Sequence, residues 1–214
     1  RYARLARIQA EKEAKEKIEQ ARKEAYEQGL AQGKVQSYIG KENPYTGQKI
    51  NDDYDVQEYL EMFELDSNPN VHIFLGNNPI TDIQESIDQI KNIQQQYKDF
   101  GTGRWAVILK ETNEFLGWSG IKFITNEINN HKNFYEIGYR FIEKNWGKGY
   151  ATEAGKAFVD YAFNKLNAKA LYAYADAGNK NSRIILEKLG LQYVNSFEYE
   201  GETEVWYELK NPKF

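Results

Sequence analysis

Residues 136–154 read Glu136-Ile-Gly-Tyr-Arg-Phe-Ile-Glu-Lys-Asn-Trp-Gly-Lys-Gly-Tyr-Ala-Thr-Glu-Ala154. A strand over Phe134–Ile142 is predicted to enter a loop with two glycines around Lys148, and the loop opens directly into a helix predicted over Tyr150–Leu166. Glycine lets the backbone adopt positive φ and approach a ligand closely. The free N–H groups and the dipole of a helix N-terminus attract anions. The segment therefore predicts a phosphate-binding turn, with a ligand-free tight turn as the alternative.

The elements around this turn alternate between helix and strand. Before it, apolar spacing predicts two helices and a hairpin: Val56–Leu65, Ile83–Tyr97 with Thr81 or Asp82 as its N-cap, Arg104–Lys110 and Phe115–Thr125. After it come a strand, a short helix ended by Gly190 as the C′ residue, and a closing hairpin: Leu171–Ala175, Ser182–Leu189, Leu191–Tyr199 and Thr203–Leu209. This order predicts an α/β (α+β) fold with a mixed sheet, and not a doubly wound parallel sheet. The family resemblance described below implies that the sheet is mostly antiparallel and flanked by helices.

Three regions of the chain differ in composition. Residues 1–36 are rich in Ala, Glu, Lys, Arg and Gln and predict a charged helical extension, which is either a solvated arm or a coiled-coil segment that pairs two copies as a homodimer. Residues 37–54 carry turn residues such as Asn43-Pro44 and predict a linker. Residues 55–214 hold the alternating elements and predict one domain.

Composition narrows the classes of function. The 214 residues include no Cys and two His, so neither a disulfide framework, a thiol nucleophile nor a metal centre is expected. The net charge of −4 argues against nucleic acid as the main partner and suits a cationic substrate. No apolar run reaches the roughly 18 residues that span a bilayer. No signal-peptide pattern opens the chain, so a cytoplasmic location away from the membrane is expected.

The turn resembles a known family. Trp146-Gly-Lys-Gly149-Tyr-Ala151 is similar to the pyrophosphate loop of GNAT acetyltransferases, whose pattern is Arg/Gln-x-x-Gly-x-Gly/Ala. Trp146 stands where Arg or Gln is usual, a departure typical of the branch that acetylates ribosomal-protein N-termini (ribosomal-protein alanine N-acetyltransferases). Asn179-Lys-Asn-Ser182 with Glu187-Lys-Leu-Gly-Leu191 resembles the second family motif, and Asp66–Val71 with Phe74-Leu-Gly76 resembles the loop between the first two helices.

The resemblance covers about residues 56–210 and implies acetyl transfer from acetyl-CoA, a cosubstrate used without a metal, to an amine that attacks the thioester directly. The acceptor is expected to be a protein N-terminus or a small amine. The residues expected to bind acetyl-CoA are Phe141, Ile142, Trp146, Gly147, Lys148, Gly149, Tyr150, Ala151, Thr152 and Asn179. The backbone N–H of Phe141 or Ile142 is the expected oxyanion donor, and Gly138 is expected to mark a bulge that opens the strand.

A base must take the proton of the attacking amine, and Glu136 is the first candidate because its strand faces the expected acceptor site. Alternatively, Glu136 is an exposed strand carboxylate. Rival bases are Tyr135, Glu198, Glu200, Glu202 and Glu204. The aromatic residues expected to line the acceptor pocket, or else to pack in the core, are Trp118, Tyr139 and Trp206.

A general acid should return a proton to the departing thiolate. Many relatives use a Tyr in the helix of the second motif, but Leu186 takes that position here. Ser182 remains as the acid, or as a helix N-cap, or as both. Asn179 is expected to bind CoA or to orient Ser182, with an Asx-turn as the alternative.

One departure from the family concerns its first strand, which normally precedes the first helix. Residues 37–55 contain no clear match, so either a divergent piece near Lys49–Tyr54 replaces the strand or the strand is absent. Three functions therefore compete: a catalytic N-acetyltransferase, a non-catalytic CoA-binding module, and an assembly protein whose N-terminal helix does the work.

Overall fold

The computed structural model describes residues 54–112 and 114–214, so the predicted extension over 1–36 and any strand near Lys49 lie outside the described residues. The described chain forms two compact units, residues 54–68 with 79–90 and residues 69–78 with 91–214. Helix α1 (Tyr54–Asp66) belongs to the first unit, the short helix α2 (Pro69–His72) belongs to the second, and α3 (Ile83–Phe100) contributes to both. Tyr54 begins α1, so the predicted linker ends one residue too late.

The start of α3 shows why its sequence predicted a helix. The Asp82 carboxylate accepts a 2.8 Å hydrogen bond from the N–H of Gln84, and the Glu85 carboxylate accepts from the N–H of Asp82 at 3.2 Å. This reciprocal capping box satisfies backbone donors that have no partner inside the helix. Asp82, and not Thr81, is therefore the cap.

The second unit is built on one sheet of six strands. They are β1 (Arg104–Leu109), β2 (Glu114–Ile124), β3 (Phe134–Phe141), β4 (Ala170–Asp176), β5 (Gln192–Tyr199) and β6 (Glu202–Lys210). Their spatial order is β1-β2-β3-β4-β6-β5, with β3 parallel to β4 and all other neighbours antiparallel. The predicted mixed, mostly antiparallel sheet is confirmed.

Two helices cover one face of this sheet. They are α4 (Tyr150–Asn164) and α5 (Lys180–Lys188). Their buried side chains, such as Ala162 and Leu186, pack with sheet residues such as Ile137 and Leu171 in the main core. Burial of apolar surface at about 25 cal/mol per Å² makes this layer the chief source of stability in the unit. We call this the helix face.

The C-terminus of α5 ends as the sequence predicted. Gly190 has φ +94°, its N–H donates to the Glu187 carbonyl, and the N–H of Leu191 donates to the Leu186 carbonyl at 3.1 Å. This pair of hydrogen bonds is the Schellman motif, which favours glycine at the left-handed position. Gly190 as the C′ residue is confirmed.

The opposite face of the sheet, the aromatic face, carries a second cluster. Trp206 is fully buried there and contacts Phe134, Tyr172 and Tyr174. The His131 ring stacks on Trp206 with 4.9 Å between ring centroids. Such aromatic pairs add to the stability gained from area burial alone.

Candidate active site

A gap opens between the two parallel strands. β3 and β4 share one pair of Cα partners, Glu136 and Tyr172, although β3 continues to Phe141 and β4 continues to Asp176. The N–H of Ile142 donates to the Leu116 carbonyl of β2 at 2.9 Å. Because successive residues of a strand direct their main-chain groups to opposite edges, Tyr139 and Phe141 direct theirs toward the gap.

This alternation separates the two expected oxyanion donors. The N–H of Ile142 is engaged by β2, so the structure contradicts its availability as a donor, whereas the N–H of Phe141 faces the gap. The carbonyl oxygen of Phe141 accepts a 2.7 Å hydrogen bond from the indole N–H of Trp146. The loop residue that replaces the usual Arg or Gln is thus bonded to the strand that borders the gap.

The expectation of a bulge at Gly138 is wrong. The β2–β3 register runs without interruption from Gly117 opposite Phe141 to Ile124 opposite Phe134. A Cβ atom at Gly138 would lie 2.5 Å from Nη2 of Arg104 and 2.9 Å from Oε1 of Glu136. Gly138 therefore leaves room for the Arg104 side chain to lie flat across the sheet.

The loop before α4 has the geometry of an anion-binding turn. Gly147 has φ +73° and Gly149, the N-cap of α4, has φ +89°, and a Cβ at either position would meet nothing within 4 Å. No side chain caps α4, so the first N–H groups, those of Tyr150 and Ala151, have no acceptor inside the helix. These open donors, the helix dipole and nearby Lys148 fit a pyrophosphate.

The lysine of this loop is held by a neighbour. Nζ of Lys148 lies 3.3 Å from Oδ1 of Asn145, a residue that is 5% exposed. The Nδ2 atom of Asn145 is buried and has no hydrogen-bond partner among the described residues. Asn145 thereby orients the positive charge of Lys148, which lies just before the start of α4. Thr152 is the third residue of that helix.

Ser182 does not cap α5. The helix begins at Lys180, and its N-cap is Asn179, whose Oδ1 accepts a 3.0 Å hydrogen bond from the N–H of Ser182. The Ser182 hydroxyl is free for another contact and lies 3.2 Å from the hydroxyl of Tyr139. The N-cap interpretation of Ser182 is wrong, because Asn179 takes that position and accepts from the main-chain N–H of Ser182.

Glu136 lies in an ion pair and not on an exposed strand surface. The residue is 8% exposed, and its carboxylate meets the Arg104 guanidinium with a 2.5 Å contact between Oε2 and Nη2. Arg104 also donates to the Gly120 carbonyl at 2.7 Å. The Arg104 guanidinium therefore occupies the Glu136 carboxylate in a partly buried, charge-assisted ion pair.

Glu204 has the environment expected of a base. Burial, followed by the charges of Asp176, Glu202 and Glu200, raises its pKa to about 7. Its Oε2 atom is buried without a hydrogen-bond partner among the described residues. Asp176 is its cross-strand neighbour on β4. A carboxylate with this pKa exchanges protons near neutral pH.

Tyr174 lies on the aromatic face and is influenced by the charges of both Glu136 and Glu204. Burial, and then the charge of Glu136, raise the pKa of Tyr174, and Glu204 contributes in the same direction. Tyr174 thus lies within electrostatic range of both carboxylates. The aromatic face near the gap therefore combines carboxylates with aromatic rings, two kinds of group that attract a cationic amine.

The aromatic residues expected around the acceptor divide between the two faces. Trp206 lies on the aromatic face, and Trp118 stacks with the guanidinium groups of Arg104 and Arg140 at 5.0 and 5.2 Å. Tyr139 instead packs against the core of the helix face and bonds to α5. For Tyr139 the structure therefore supports core packing, the favoured of the two predicted roles, over a place in the acceptor pocket.

The segment after α2 reaches the ends of both gap strands. Nδ2 of Asn70 lies 3.0 Å from both carboxylate oxygens of Glu143, two residues beyond β3. The Phe74 ring lies 3.4 Å from the Cβ position of Gly178, two residues beyond β4. Phe74 and its neighbours Ile73 and Leu75 are exposed apolar side chains beside the open end of the gap.

No local sequence pattern pointed to the role of Arg104 or to the Tyr139–Ser182 contact. Gly120 and Gly138 are cross-strand partners, and Arg104 is the β1 partner of Gly120. Two glycines facing one arginine across three strands are a detectable signal only once the strand register is known. Tyr139 and Ser182 are 43 residues apart, so their contact requires the tertiary fold.

The described residues hold neither a candidate metal cluster nor a candidate membrane-spanning helix. Residues 54–112 and 114–214 hold no group of three or more His, Cys, Asp or Glu side chains placed to bind a metal ion. Within the same ranges, no helix has the length and apolar content to cross a membrane.

Comparison with known proteins identifies the family. The model of the acetyltransferase (GNAT) domain matches residues 49–192. The chain is 37% identical over 118 residues to the uncharacterized protein YkkB of Bacillus subtilis, covering 55% of this chain and 67% of that protein. It is 32% identical over 126 residues to the uncharacterized N-acetyltransferase p20 of Bacillus licheniformis, covering 59% and 68%. The chain belongs to the GNAT family of acetyltransferases.

Solved structures support the same fold. A spermidine N-acetyltransferase from Vibrio cholerae, in complex with CoA and spermine, superposes with a TM-score of 0.58 at 18% identity, covering 73% of this chain and 92% of that one. At this identity the likeness establishes the fold and leaves the acceptor to be argued from this chain's own residues.

Proposed function

We propose that this protein is an N-acetyltransferase that transfers an acetyl group from acetyl-CoA to a primary amine, which is a small cationic amine or a protein N-terminus. The observation that carries the proposal is the juxtaposition of two features. β3 and β4 diverge after Glu136 and Tyr172, and the chain leaving β3 forms the glycine turn at the start of α4. A long thioester with a pyrophosphate at one end matches a gap that ends at an anion-binding turn.

The thioester supplies the acetyl group, and the chain supplies binding and polarisation. The turn from Trp146 to Thr152 would hold the pyrophosphate, with Gly149, Tyr150 and Ala151 presenting N–H groups. The main-chain N–H and carbonyl of Tyr139 would pair with the amides of the pantetheine arm. The N–H of Phe141 would stabilise negative charge on the thioester oxygen as the amine attacks. Ile142 supports this strand edge from the β2 side.

Glu204 is the better base than Glu136. Its pKa of about 7 lets it accept a proton near neutral pH, whereas Arg104 neutralises Glu136. Glu136 would then hold Arg104 in place beside the acceptor, and Glu204 would receive the amine proton directly or through water. The environment of Glu204 also argues for catalysis over a purely CoA-binding role. Its buried carboxylate oxygen has no partner among the described residues and therefore costs stability, which a catalytic role would explain.

The acceptor face favours a small amine with more than one positive charge. Beyond burial, the negative charges of Asp176, Glu202 and Glu200 raise the pKa of Glu204, so a bound cation would relieve the repulsion that Glu204 experiences. The Trp146 departure supports the ribosomal-protein branch instead, with a protein N-terminus as acceptor. A homodimer, a cytoplasmic location and the absence of nucleic-acid and membrane partners remain predictions.

Calorimetric binding of acetyl-CoA tests the proposal, with Gly149→Asp as the decisive variant. A carboxylate at the helix start would repel the pyrophosphate, so we expect binding to weaken by about tenfold or more. Gly149→Asn separates charge from shape and should weaken binding less. Gly201→Asp is a matched control, because Gly201 has φ +90° and open space but lies in the β5–β6 turn. Undetectable binding of acetyl-CoA by the folded parent would refute the proposal.

A further inference from the structure

Strand β5 forms one edge of the six-stranded sheet and pairs with β6 on its inner side. Its outer row of N–H and C=O groups meets no other strand within residues 54–112 and 114–214. Proteins usually protect such edges with Lys, Pro or several charges. The eight residues Gln192–Tyr199 include one charged side chain, Glu198, and neither Lys, Arg nor Pro. This edge is therefore open to pairing with a further strand.

Apolar side chains at the start of β5 are uncovered. Tyr193 is 52% exposed and Val194 is 51% exposed. Further along the strand, the Phe197 ring contacts Trp206 and Tyr174 on the aromatic face. Exposed apolar side chains beside unpaired main-chain groups are typical of a surface that binds another protein. An added strand would satisfy the main-chain groups and cover the side chains together.

A bulge limits the length of β5 that can take part in a ladder. The β5–β6 register shifts between Tyr193 and Asn195, so Val194 is the extra residue. From Asn195 to Tyr199 the register is regular, and successive side chains alternate between the faces. Asn195, Phe197 and Tyr199 lie on the aromatic face, and Ser196 and Glu198 lie on the helix face.

Two copies of this five-residue segment are complementary in one register. Side chains directly opposite each other in an antiparallel pair share a face, so a two-fold axis must pass through a residue. An axis at Ser196 includes the bulge at Val194, and an axis at Glu198 sets two carboxylates against each other. An axis at Phe197 uses all five residues and opposes no like charges. It pairs Phe197 with itself, Ser196 with Glu198, and Asn195 with Tyr199.

We propose that β5 pairs in antiparallel fashion with β5 of a second copy of this chain, with Phe197 on the two-fold axis. The described strands of both copies then form one continuous sheet, with the two aromatic faces side by side. This inference concerns assembly and does not depend on the acetyl transfer proposed above. It places the dimer contact at the sheet edge and not in the predicted extension over residues 1–36.

The second copy supplies partners for the exposed groups of β5. Oε1 of Glu198 accepts a 2.8 Å hydrogen bond from the Thr203 hydroxyl, and a carboxylate has room to accept another from Ser196 of the partner subunit. In the same register, Tyr193 lies opposite Gly201 of the partner subunit. A Cβ at Gly201 would meet nothing within 4 Å, so the Tyr193 ring has space to lie over this turn.

The contact also brings two candidate active sites close together. Glu204 is the cross-strand neighbour of Phe197 on β6. Three strand spacings of about 4.8 Å then separate Glu204 from Glu204 of the partner subunit, so the two residues lie about 14 Å apart on the same face. The carboxylates and rings of the two aromatic faces therefore form one surface.

Ser196 tests both the contact and its register. Sedimentation of the full chain at about 1 to 200 µM should show a monomer–dimer equilibrium, with a Kd on the order of micromolar because a short ladder buries little area. Ser196→Glu places a carboxylate opposite Glu198 of the partner subunit at two symmetric positions, so we expect Kd to rise about tenfold or more. Ser196→Lys places an ammonium group there and should keep or tighten the dimer.

The two variants are matched controls for each other. Both remove the hydroxyl that lies 3.1 Å from the Tyr193 hydroxyl, so the loss of that contact is common to them. The double variant Ser196→Glu/Glu198→Lys restores opposite charges across the axis and should recover most of the parent's affinity. Circular dichroism and thermal midpoints of the variants should match those of the parent, which separates a change in Kd from unfolding.

Three results would overturn the proposal. A parent that stays monomeric throughout the concentration range would mean that another segment or another protein covers this edge. A dimer that Ser196→Glu leaves unchanged would place the contact elsewhere, such as in the predicted extension. Equal weakening by Ser196→Glu and Ser196→Lys would contradict the register, because the sign of the charge opposite Glu198 would then have no effect.

Discussion

The indole N–H of Trp146 and the carbonyl oxygen of Phe141 form a 2.7 Å hydrogen bond that joins the phosphate-binding turn to the edge of the gap. Trp146 is nonetheless 45% exposed. The hydrogen bond therefore fixes the position of the turn, and burial of the indole contributes less. It occupies a carbonyl that would otherwise be open to a ligand amide, and it sets the distance between the pyrophosphate end of the site and the oxyanion donor.

Replacing Trp146 by Phe should therefore weaken acetyl-CoA binding. The ring is kept and one hydrogen bond of about 1 kcal/mol is lost, so we expect Kd to rise about fivefold in calorimetry, with the thermal midpoint almost unchanged. Trp105→Phe is the control, because Trp105 is 47% exposed on β1 and contacts Phe158 and Tyr161. An equal loss in both variants would refute a specific role for Trp146.

Glu204 should govern the pH dependence of the reaction. A base must be deprotonated to accept a proton, so kcat/KM should rise with pH through an apparent pKa of about 7. Glu204→Gln should remove this rising limb and lower the rate above it by about a hundredfold or more. Glu202→Gln on the same strand should keep the limb and move it slightly to lower pH, since Glu202 helps to raise the pKa. An unchanged limb in Glu204→Gln would assign the base elsewhere.

The same carboxylate should make stability fall as pH rises. The folded protein holds the Glu204 proton up to about pH 7, whereas the unfolded chain releases it near 4.5, so between these values the native state binds more protons. Unfolding free energy should decline across that window and level off above it. Denaturant titrations of the parent and of Glu204→Gln at pH 4.5, 6 and 8 should diverge, with the variant gaining relative stability at high pH. A constant difference between the two proteins would contradict the raised pKa.

Gly138→Ala should destabilise the fold through Arg104. The new methyl would lie 2.8 Å from Cζ of Arg104, so the guanidinium must move and leave Glu136 unpaired. Loss of one partner from a buried ion pair costs about 3–5 kcal/mol, and partial rearrangement brings our expectation to about 2–3 kcal/mol in urea unfolding.

A double variant checks the cause. Once Arg104→Met has removed the guanidinium, adding Gly138→Ala should cost far less than it does in the parent. Additive effects of the two substitutions would mean that the glycine is needed for another reason. The acetyl-CoA affinity of both variants should be measured as well. It should change little, because Arg104 and Glu136 lie on the aromatic face and not at the phosphate-binding turn.

Local sequence patterns predicted the elements well because their signals are local. The Asp82–Glu85 capping box, Gly190 after α5 and the glycine turn before α4 are each decided by residues within a few positions of one another. Helix ends moved by up to three residues, as in α3, which extends to Phe100. The spatial order of the six strands was not predicted, because it depends on pairing between residues far apart in the chain.

The chemistry of the site was harder to predict because it depends on partners far apart in the chain. Glu136 looked like an exposed base, but Arg104, 32 residues earlier, pairs with it once β1 and β3 flank β2. Glu204 stood as one of four hairpin carboxylates, and its burial beside Asp176 distinguishes it from the others. Side-chain environment of this kind is a property of register, which a single sequence leaves open.

The single registered pair between β3 and β4 has a consequence for how the sheet is held together. Strands β1, β2 and β3 form one continuous antiparallel leaf, and β4, β6 and β5 form another. The chain crosses once from leaf to leaf, through the segment that contains α4 and its glycine turn. A ligand lying between the leaves would complete the missing ladder as a non-peptide strand, so its binding would reinforce the protein's own framework, and saturation with ligand would raise the cost of separating the leaves.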